Sequence, residues 1–168
     1  MPEEKIRIYK IVYYQFLTLL RMGFLPGSSP PLGNLLGIFQ RRDLPVRFFT
    51  SDVSPKGALA LNLGVDLLAE EIVEALIDEL CGLDNYHDLT LTSQTSMVMI
   101  YGPHFGEMPG IAGLTLSTLT RYGITPLALS ASSSSISCLF PAVQFKSALE
   151  SLNTIFEPPA PYFSREDY

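Results

Sequence analysis

The chain has 168 residues, 47% of them hydrophobic, with 17 acidic against 11 basic side chains and a formal net charge of −6. That length holds one ordinary domain or two small ones, and the apolar content supplies a core, so the chain is expected to be globular and not disordered. An acidic balance without a Lys/Arg run argues against a nucleic-acid partner, and Cys81 and Cys138, outside any spaced metal or redox motif, read as buried residues of a reducing compartment, the cytoplasm.

Residues 5–10 alternate apolar with polar side chains and fit a strand. Ile11–Leu20 is rich in aromatic and branched residues and reads as the next strand. Lys5, Arg7 and Lys10 before it give it the outline of a signal or membrane segment. Gln15 interrupts it, it is too short to cross a bilayer and no small-residue cleavage site follows, so no membrane association is expected. A Gly/Pro/Ser loop covers Gly23–Pro31; Leu32, Leu35, Leu36 and Phe39 then recur at helical spacing, with Arg41, Arg42 and Asp43 at the polar end. Val46–Thr50 is a strand, Ser54–Gly57 a turn and Ala58–Leu63 a strand. Val65–Leu80 reads as an amphipathic helix with Leu68, Ile72, Leu76 and Leu80 inward and Glu70, Glu71, Glu74 and Asp78 outward. His87–Gln94 alternates and fits another strand.

From Met97 the order repeats, about eighty residues further on. Met97–Tyr101 is a strand, Gly102–Gly110 a Gly/Pro loop, Ile111–Tyr122 a helix, Ile124–Ser130 and Ser135–Phe140 strands, and Gln144–Phe156 a helix with Phe145, Leu149, Leu152 and Phe156 inward. Details recur too: Gln40-Arg-Arg-Asp-Leu44 before Val46 matches Thr120-Arg-Tyr-Gly-Ile124 before Thr125. The expected fold is α+β: two ferredoxin-like βαββαβ units, each an antiparallel sheet with two helices on one face. Residues 11–94 form the first and 95–157 the second, which the strand at 5–10 completes, so that the halves interleave. Residues 158–168, with Pro158, Pro159 and Pro161, form an extended tail.

The residues in these positions resemble a family. Leu32-Gly-Asn-Leu-Leu-Gly-Ile-Phe-Gln-Arg-Arg-Asp-Leu-Pro-Val46 followed by Thr50-Ser-Asp-Val-Ser54, and then Tyr101-Gly-Pro-His-Phe-Gly-Glu-Met-Pro-Gly110, Leu119-Thr-Arg-Tyr-Gly-Ile124 and Ser130-Ala-Ser-Ser-Ser-Ser-Ile-Ser137, are similar to the tandem ACT domains of the aspartokinase regulatory region. The similarity runs over about residues 6–156, and the order of the motifs over two copies carries it more than any one of them. Nothing resembles the kinase portion, and no P-loop is present. Arg47 stands where the family has an acidic residue suited to a basic effector, which argues against lysine bound in the family's manner. Asp52 keeps the acidic character of its position, Ser133 loses it in the second copy, and the loop Met22–Pro31 is longer and richer in proline.

The resemblance implies that amino acids bind where the first loop of a unit meets its first helix, since unpaired N–H groups and the helix dipole suit a carboxylate. In the first unit the candidates are Met22, Ser28, Ser29, Arg47, Thr50, Ser51, Asp52 and Val53: the serines donating to a carboxylate, Asp52 accepting from an ammonium, Arg47 pairing with a second carboxylate. In the second they are Phe105, Gly106, Glu107, Ser130 and Ser132. Ser28 and Ser29 read equally as capping residues, Arg47 as a solvated strand residue and Ser132–Ser135 as a hairpin turn. His87 beside Asp88 and His104 near Glu107 lack a nucleophile or a ligand set, so neither catalysis, a metal nor a cofactor is expected. The expectation is a non-catalytic regulatory protein that binds a small effector, an amino acid, as a homodimer that can act on a partner enzyme. The alternatives are a ligand-free oligomerisation module, or the excised tail of a longer kinase.

Overall fold

The computed structural model describes residues 5–27, 32–66, 70–82 and 86–159. Ser28, Ser29 and Leu68, the side chain of Cys81 and the tail from residue 160 lie outside the described residues. In chain order the elements are β1 (Ile6–Arg7), β2 (Lys10–Phe24), α1 (Leu32–Arg41), β3 (Val46–Val53), β4 (Leu59–Asp66), α2 (Glu70–Cys81), β5 (Tyr86–Tyr101), α3 (Ile111–Arg121), β6 (Ala128–Ala131), β7 (Ser135–Pro141), α4 (Phe145–Leu152) and β8 (Phe156–Glu157). Contacts divide the chain into a central unit, residues 16–94, and a terminal unit built from residues 1–15 with 95–168. Two strands run from one into the other: β2 passes at Gln15/Phe16 and β5 at Gln94/Thr95.

In the central unit the strands lie in the order β3-β4-β2-β5, so the unit's first strand sits between its third and fourth. The β4 pairings are antiparallel, Met22 and Ser51 both facing Leu61. Leu59, Leu61, Leu63 and Val65 alternate along β4 and are buried with Leu35, Ile38 and Phe39 of α1 and Leu76 and Leu80 of α2. One sheet face is thus covered by two helices, as two-residue periodicity against helical spacing requires. The helix expected from Val65 starts at Glu70, because Val65 pairs with Thr18 and Val46 as the last inward residue of β4. Ile72, expected inward, is 38% exposed.

The terminal unit repeats the order. Its first strand, the β5 half from Thr95, lies between β7 and the N-terminal half of β2, with β6 at the far edge. The strand in the fourth place is therefore Lys10–Gln15, not residues 5–10. Tyr9 begins the approach, its N–H donating to Tyr101 O at 2.8 Å and its ring standing edge-on to that of Tyr101. Residues 6–7 instead pair in parallel with β8, Ile6 against Phe156, so Phe156 belongs to a strand and α4 stops at Leu152. Ile8 and Ile11 join Val98, Ile100, Leu119, Ile136, Phe140, Ala148, Leu152 and Phe156 in one core. Cys138 is buried in it, and loss of solvent pushes its thiol pKa up to about 12, so it stays an unreactive thiol. The strand expected over Ile124–Ser130 shortens to Ala128–Ala131.

The recurring phrases at the ends of α1 and α3 have one cause. Asp43 (φ 53°) and Gly123 (φ 71°) are left-handed, and in each case the next N–H reaches a carbonyl five residues back: Leu44 to Phe39 O at 2.9 Å, Ile124 to Leu119 O at 3.0 Å. This is the helix-ending turn that glycine fits best. Asp43 carries a side-chain strain that Gly123 avoids, and a negative charge at the wrong end of a helix dipole. Asp43→Gly is expected to stabilise the protein by about 0.5–1 kcal/mol, read as a shift of the urea midpoint at constant m-value; a shift the other way would mean that Asp43 has a stabilising role.

No described helix is long and apolar enough to cross a membrane.

Candidate functional site

In the central unit, register places the candidates on two faces. Thr50 pairs with Asn62 and Asp52 with Ala60, and Ala60 in turn with Gly23, all on the sheet face opposite the helices. Ser51 opposes Leu61 and Val53 opposes Leu59, so both point to the helix side, where β3 is the outer strand and leaves them exposed. Met22 does not present itself to a ligand: it is 2% exposed in the helix-side core, because its place on β2 shares a row with Leu61.

Arg47 is a half-buried residue paired with a carboxylate of its own unit. A register shift between Val46 and Phe48 puts it at a bulge, which re-aims its side chain. Its Nε donates to Asp66 Oδ1 at 3.0 Å and its Nη2 to Asp66 Oδ2 at 2.9 Å, a bidentate pair across the strand ends. Thr50 is also engaged, its Oγ1 accepting from Asn62 Nδ2 at 3.1 Å. Asp66 and Asn62 went unnoticed in the sequence, although the period of two in Leu59-Ala-Leu-Asn-Leu-Gly-Val-Asp66 places both on the face that Thr50 and Arg47 share.

A second charged group ties α1 to α2. Glu79 accepts from Arg41 Nη2 at 2.7 Å and from Arg42 Nε at 3.0 Å, while Arg42 Nη2 also donates to Ala75 O at 3.2 Å. The Arg41 hydrogen bond, then that of Arg42, holds the Glu79 carboxyl below its ordinary value of 4.5. A carboxyl depressed in the folded state contributes stability above its unfolded pKa and loses it as pH falls through the folded value. Glu79→Gln is therefore expected to leave the slope of stability against pH unchanged above about pH 6 and to flatten it below the ordinary carboxylate pKa. Urea titrations at stepped pH check this; parallel acid limbs in the two proteins would exclude a contribution from Glu79.

In the terminal unit the first loop and the β6–β7 hairpin tip meet at Gly106 and Ser133. Gly102 N–H continues the ladder to Ser134 O at 2.9 Å, and residues 105–107 form one 3-10 turn. Phe105 N–H donates to Gly102 O (3.1 Å), Glu107 N–H to His104 O (3.0 Å), Met108 N–H to Phe105 O (3.2 Å) and Gly106 N–H to Ser133 O (2.7 Å). The Phe105 ring is 3% exposed and packs on Phe156, which makes it a core residue and not a ligand contact. Ser132 Oγ accepts from the N–H groups of Ser134 (3.2 Å) and Ser135 (3.0 Å), so the serine run is a self-satisfied turn between β6 and β7. Ser130 lies in β6, opposite Ser137. Glu107 is exposed at the loop surface. Ser133, which presses on Gly106, was missed as a contact, since no periodicity links a hairpin tip to a loop thirty residues away. Among the described residues no group of three or more His, Cys, Asp or Glu is placed to hold a metal ion.

Two units of one strand order find counterparts among solved structures. The ligand-free regulatory subunit of aspartate kinase from Thermus thermophilus matches with a TM-score of 0.73 at 17% identity, over 89% of this chain and 99% of that one. The fold is that of an aspartate kinase regulatory region. Whole kinases match over the same part: the Clostridium acetobutylicum aspartate kinase with a TM-score of 0.75 at 16% identity, and E. coli aspartokinase III, in complex with lysine and aspartate, with 0.64 at 21%. This chain covers 90% and 94% of itself in those two matches but only 36% and 35% of the kinases' length. No protein-family model matches the sequence, and no curated protein does.

Proposed function

We propose that this chain is a non-catalytic regulatory protein of the aspartokinase type, which binds an amino acid or similar small effector through its ACT units and acts as a homodimer, in the cytoplasm, on its own assembly or on a partner enzyme. The observation that carries the reading is the match over 99% of a regulatory subunit's length, with both units present. Aspartokinase III with lysine and aspartate shows that a protein of this fold can be isolated with amino acids bound. In the central unit Thr50, Ser51, Asp52 and Val53, with Ser28 and Ser29, remain the proposed contacts. Asp52 supplies a carboxylate for an ammonium group, whereas Arg47 is committed to Asp66.

The test is a thermal-shift and calorimetric screen with each common amino acid. An effector at a hundredfold its dissociation constant adds about 2.7 kcal/mol of stability. A flat response to all of them would remove effector binding and leave the second reading, an oligomerisation module that keeps the fold without a ligand. The engaged state of Arg47 and of the Gly106 amide favours that reading, and a tight dimer in sedimentation together with an empty screen would select it.

A further inference from the structure

In the terminal unit α4 stops at Leu152, and the chain turns through Asn153 into β8, which lies beside β1. Ile6 N–H donates to Ile155 O at 2.8 Å and Ile8 N–H to Glu157 O at 3.0 Å, which brings Lys5 to the C-terminal end of the helix. An open groove of about 330 Å³ lies there, lined by Lys5, Leu149, Asn153, Phe156, Glu157 and Pro158. Small-molecule sites have volumes of about 300–1,000 Å³, so the groove is large enough for one small molecule. Leu149 and Pro158, both half-buried, give it an apolar surface over the fully buried Phe156. Its charges are one of each sign. The Lys5 ammonium donates one hydrogen bond, to Asn153 O at 2.7 Å, which leaves two of its three N–H groups for another acceptor. The Glu157 carboxylate is exposed and, among the described residues, enters no ion pair, either with Lys5 of the same groove or with Arg7, its register partner.

A cation and an anion that line one groove without pairing with each other complement a zwitterion. An α-amino acid carries a carboxylate and an ammonium on one carbon, with its side chain directed away from both. The geometry points to an amino-acid site at the end of α4 for an α-amino acid with an aliphatic side chain: its carboxylate accepts from Lys5, its ammonium donates to Glu157, and its side chain lies on Leu149 and Pro158. Taken singly, Lys5 is a lysine that satisfies a carbonyl at a helix C-terminus and Glu157 a solvated strand residue. Neither of those roles makes the two act on one molecule. The groove shares no residue with the contacts proposed for the effector, so it does not rest on that reading.

The test is a titration of the full chain, 15N-labelled, with L-leucine and with two analogues that each lack one charge: 4-methylpentanoate, without the ammonium, and 3-methylbutylamine, without the carboxylate. L-leucine should shift the amides of Leu149, Asn153 and Glu157, and each analogue should bind about five- to tenfold more weakly, the loss of one charged pair. Glu157→Gln should weaken L-leucine by the same factor and leave 4-methylpentanoate unchanged, while Lys5→Gln should weaken L-leucine and leave 3-methylbutylamine unchanged. A lysine that only capped the helix would not give this crosswise pattern. Unmoved amides in β7, such as that of Cys138, show that each variant keeps the fold. No shift at Leu149, Asn153 or Glu157 with L-leucine up to about 10 mM overturns the site, as does equal affinity for L-leucine and 4-methylpentanoate, or variants that bind all three compounds as the wild-type chain does. Shifts confined to Thr50, Ser51, Asp52 and Val53 would support the effector reading and overturn this site; shifts confined to the groove would support this site alone.

Discussion

A chain beginning at Phe16 is expected to keep a folded central unit and to lose the terminal one. The central unit takes all four of its strands and both helices from residues 16–94. Among the described residues, its core, from Leu20 to Leu80, contains none before Phe16. The terminal unit instead draws a strand and part of its core from the first fifteen residues: Ile8 is 6% and Ile11 3% exposed, and Ile6 pairs with Phe156. Truncating one buried isoleucine costs about 2–5 kcal/mol, and a domain has only about 5–15 kcal/mol in total. Loss of two, with the ladder of a whole strand, leaves Val98, Ile100 and Ile136 without a complete core. Amide exchange should show protection retained at Leu61 and Leu63 and lost at Ile100 and Ile136. Native-like protection in both sets would mean that the first fifteen residues are dispensable and that the halves are not interleaved.

That dependence was partly visible in the sequence. The repeat was legible because each unit buries one sheet face against two helices, which imposes alternation on strands and a three-to-four spacing on helices. The matching helix ends were legible because a left-handed C-terminal turn needs Gly or Asp at one fixed position. The two crossings were not. Gln15 and Phe16, and again Ser93 and Gln94, are consecutive exposed residues within long strands, and both Phe16 (φ 58°) and Gln94 (φ 54°) are left-handed. Such a break shifts the phase of the alternation, and without coordinates it reads as the end of one strand and the start of another. The start of α2 was misplaced because Val65 satisfies a period of two and a period of four at once; pairing with Thr18 decides for the strand. In the candidate site, sequence position identified the loops and β3, but not whether a side chain there looks outward. Met22 and Phe105 are apolar and turned into cores, and the partner of Arg47 is set by a bulge that no motif announces.

Among the described glycines, Gly102 at the start of the same loop has the least room for a side chain, and there a single methyl group should have a large effect. A Cβ built on Gly102 would lie 2.3 Å from Phe105 Cε1 and 2.7 Å from Cδ1 and Cζ. Gly102 has no left-handed φ, so alanine suits its backbone and the penalty is one of space alone. The ring cannot swing aside at low cost, because Phe105 is 3% exposed and its centroid stands 6.0 Å from that of Phe156, itself fully buried. Gly102→Ala is therefore expected to cost about 1–3 kcal/mol if the ring shifts within the core, rising toward the 3–5 kcal/mol of a lost phenylalanine if the ring is expelled. Phe105→Leu in the same chain removes the ring atoms that collide, so the double variant should be more stable than the sum of the single losses predicts. The Gly106 amide should exchange faster in Gly102→Ala, since the turn that presents it to Ser133 rests on that ring, and recover in the double variant. Urea unfolding and amide exchange on the four proteins measure all of this. A change in Gly102→Ala below about 0.5 kcal/mol would show that the loop yields freely around Phe105, and that its closed form is held by Ser133 and the serine turn without support from the core.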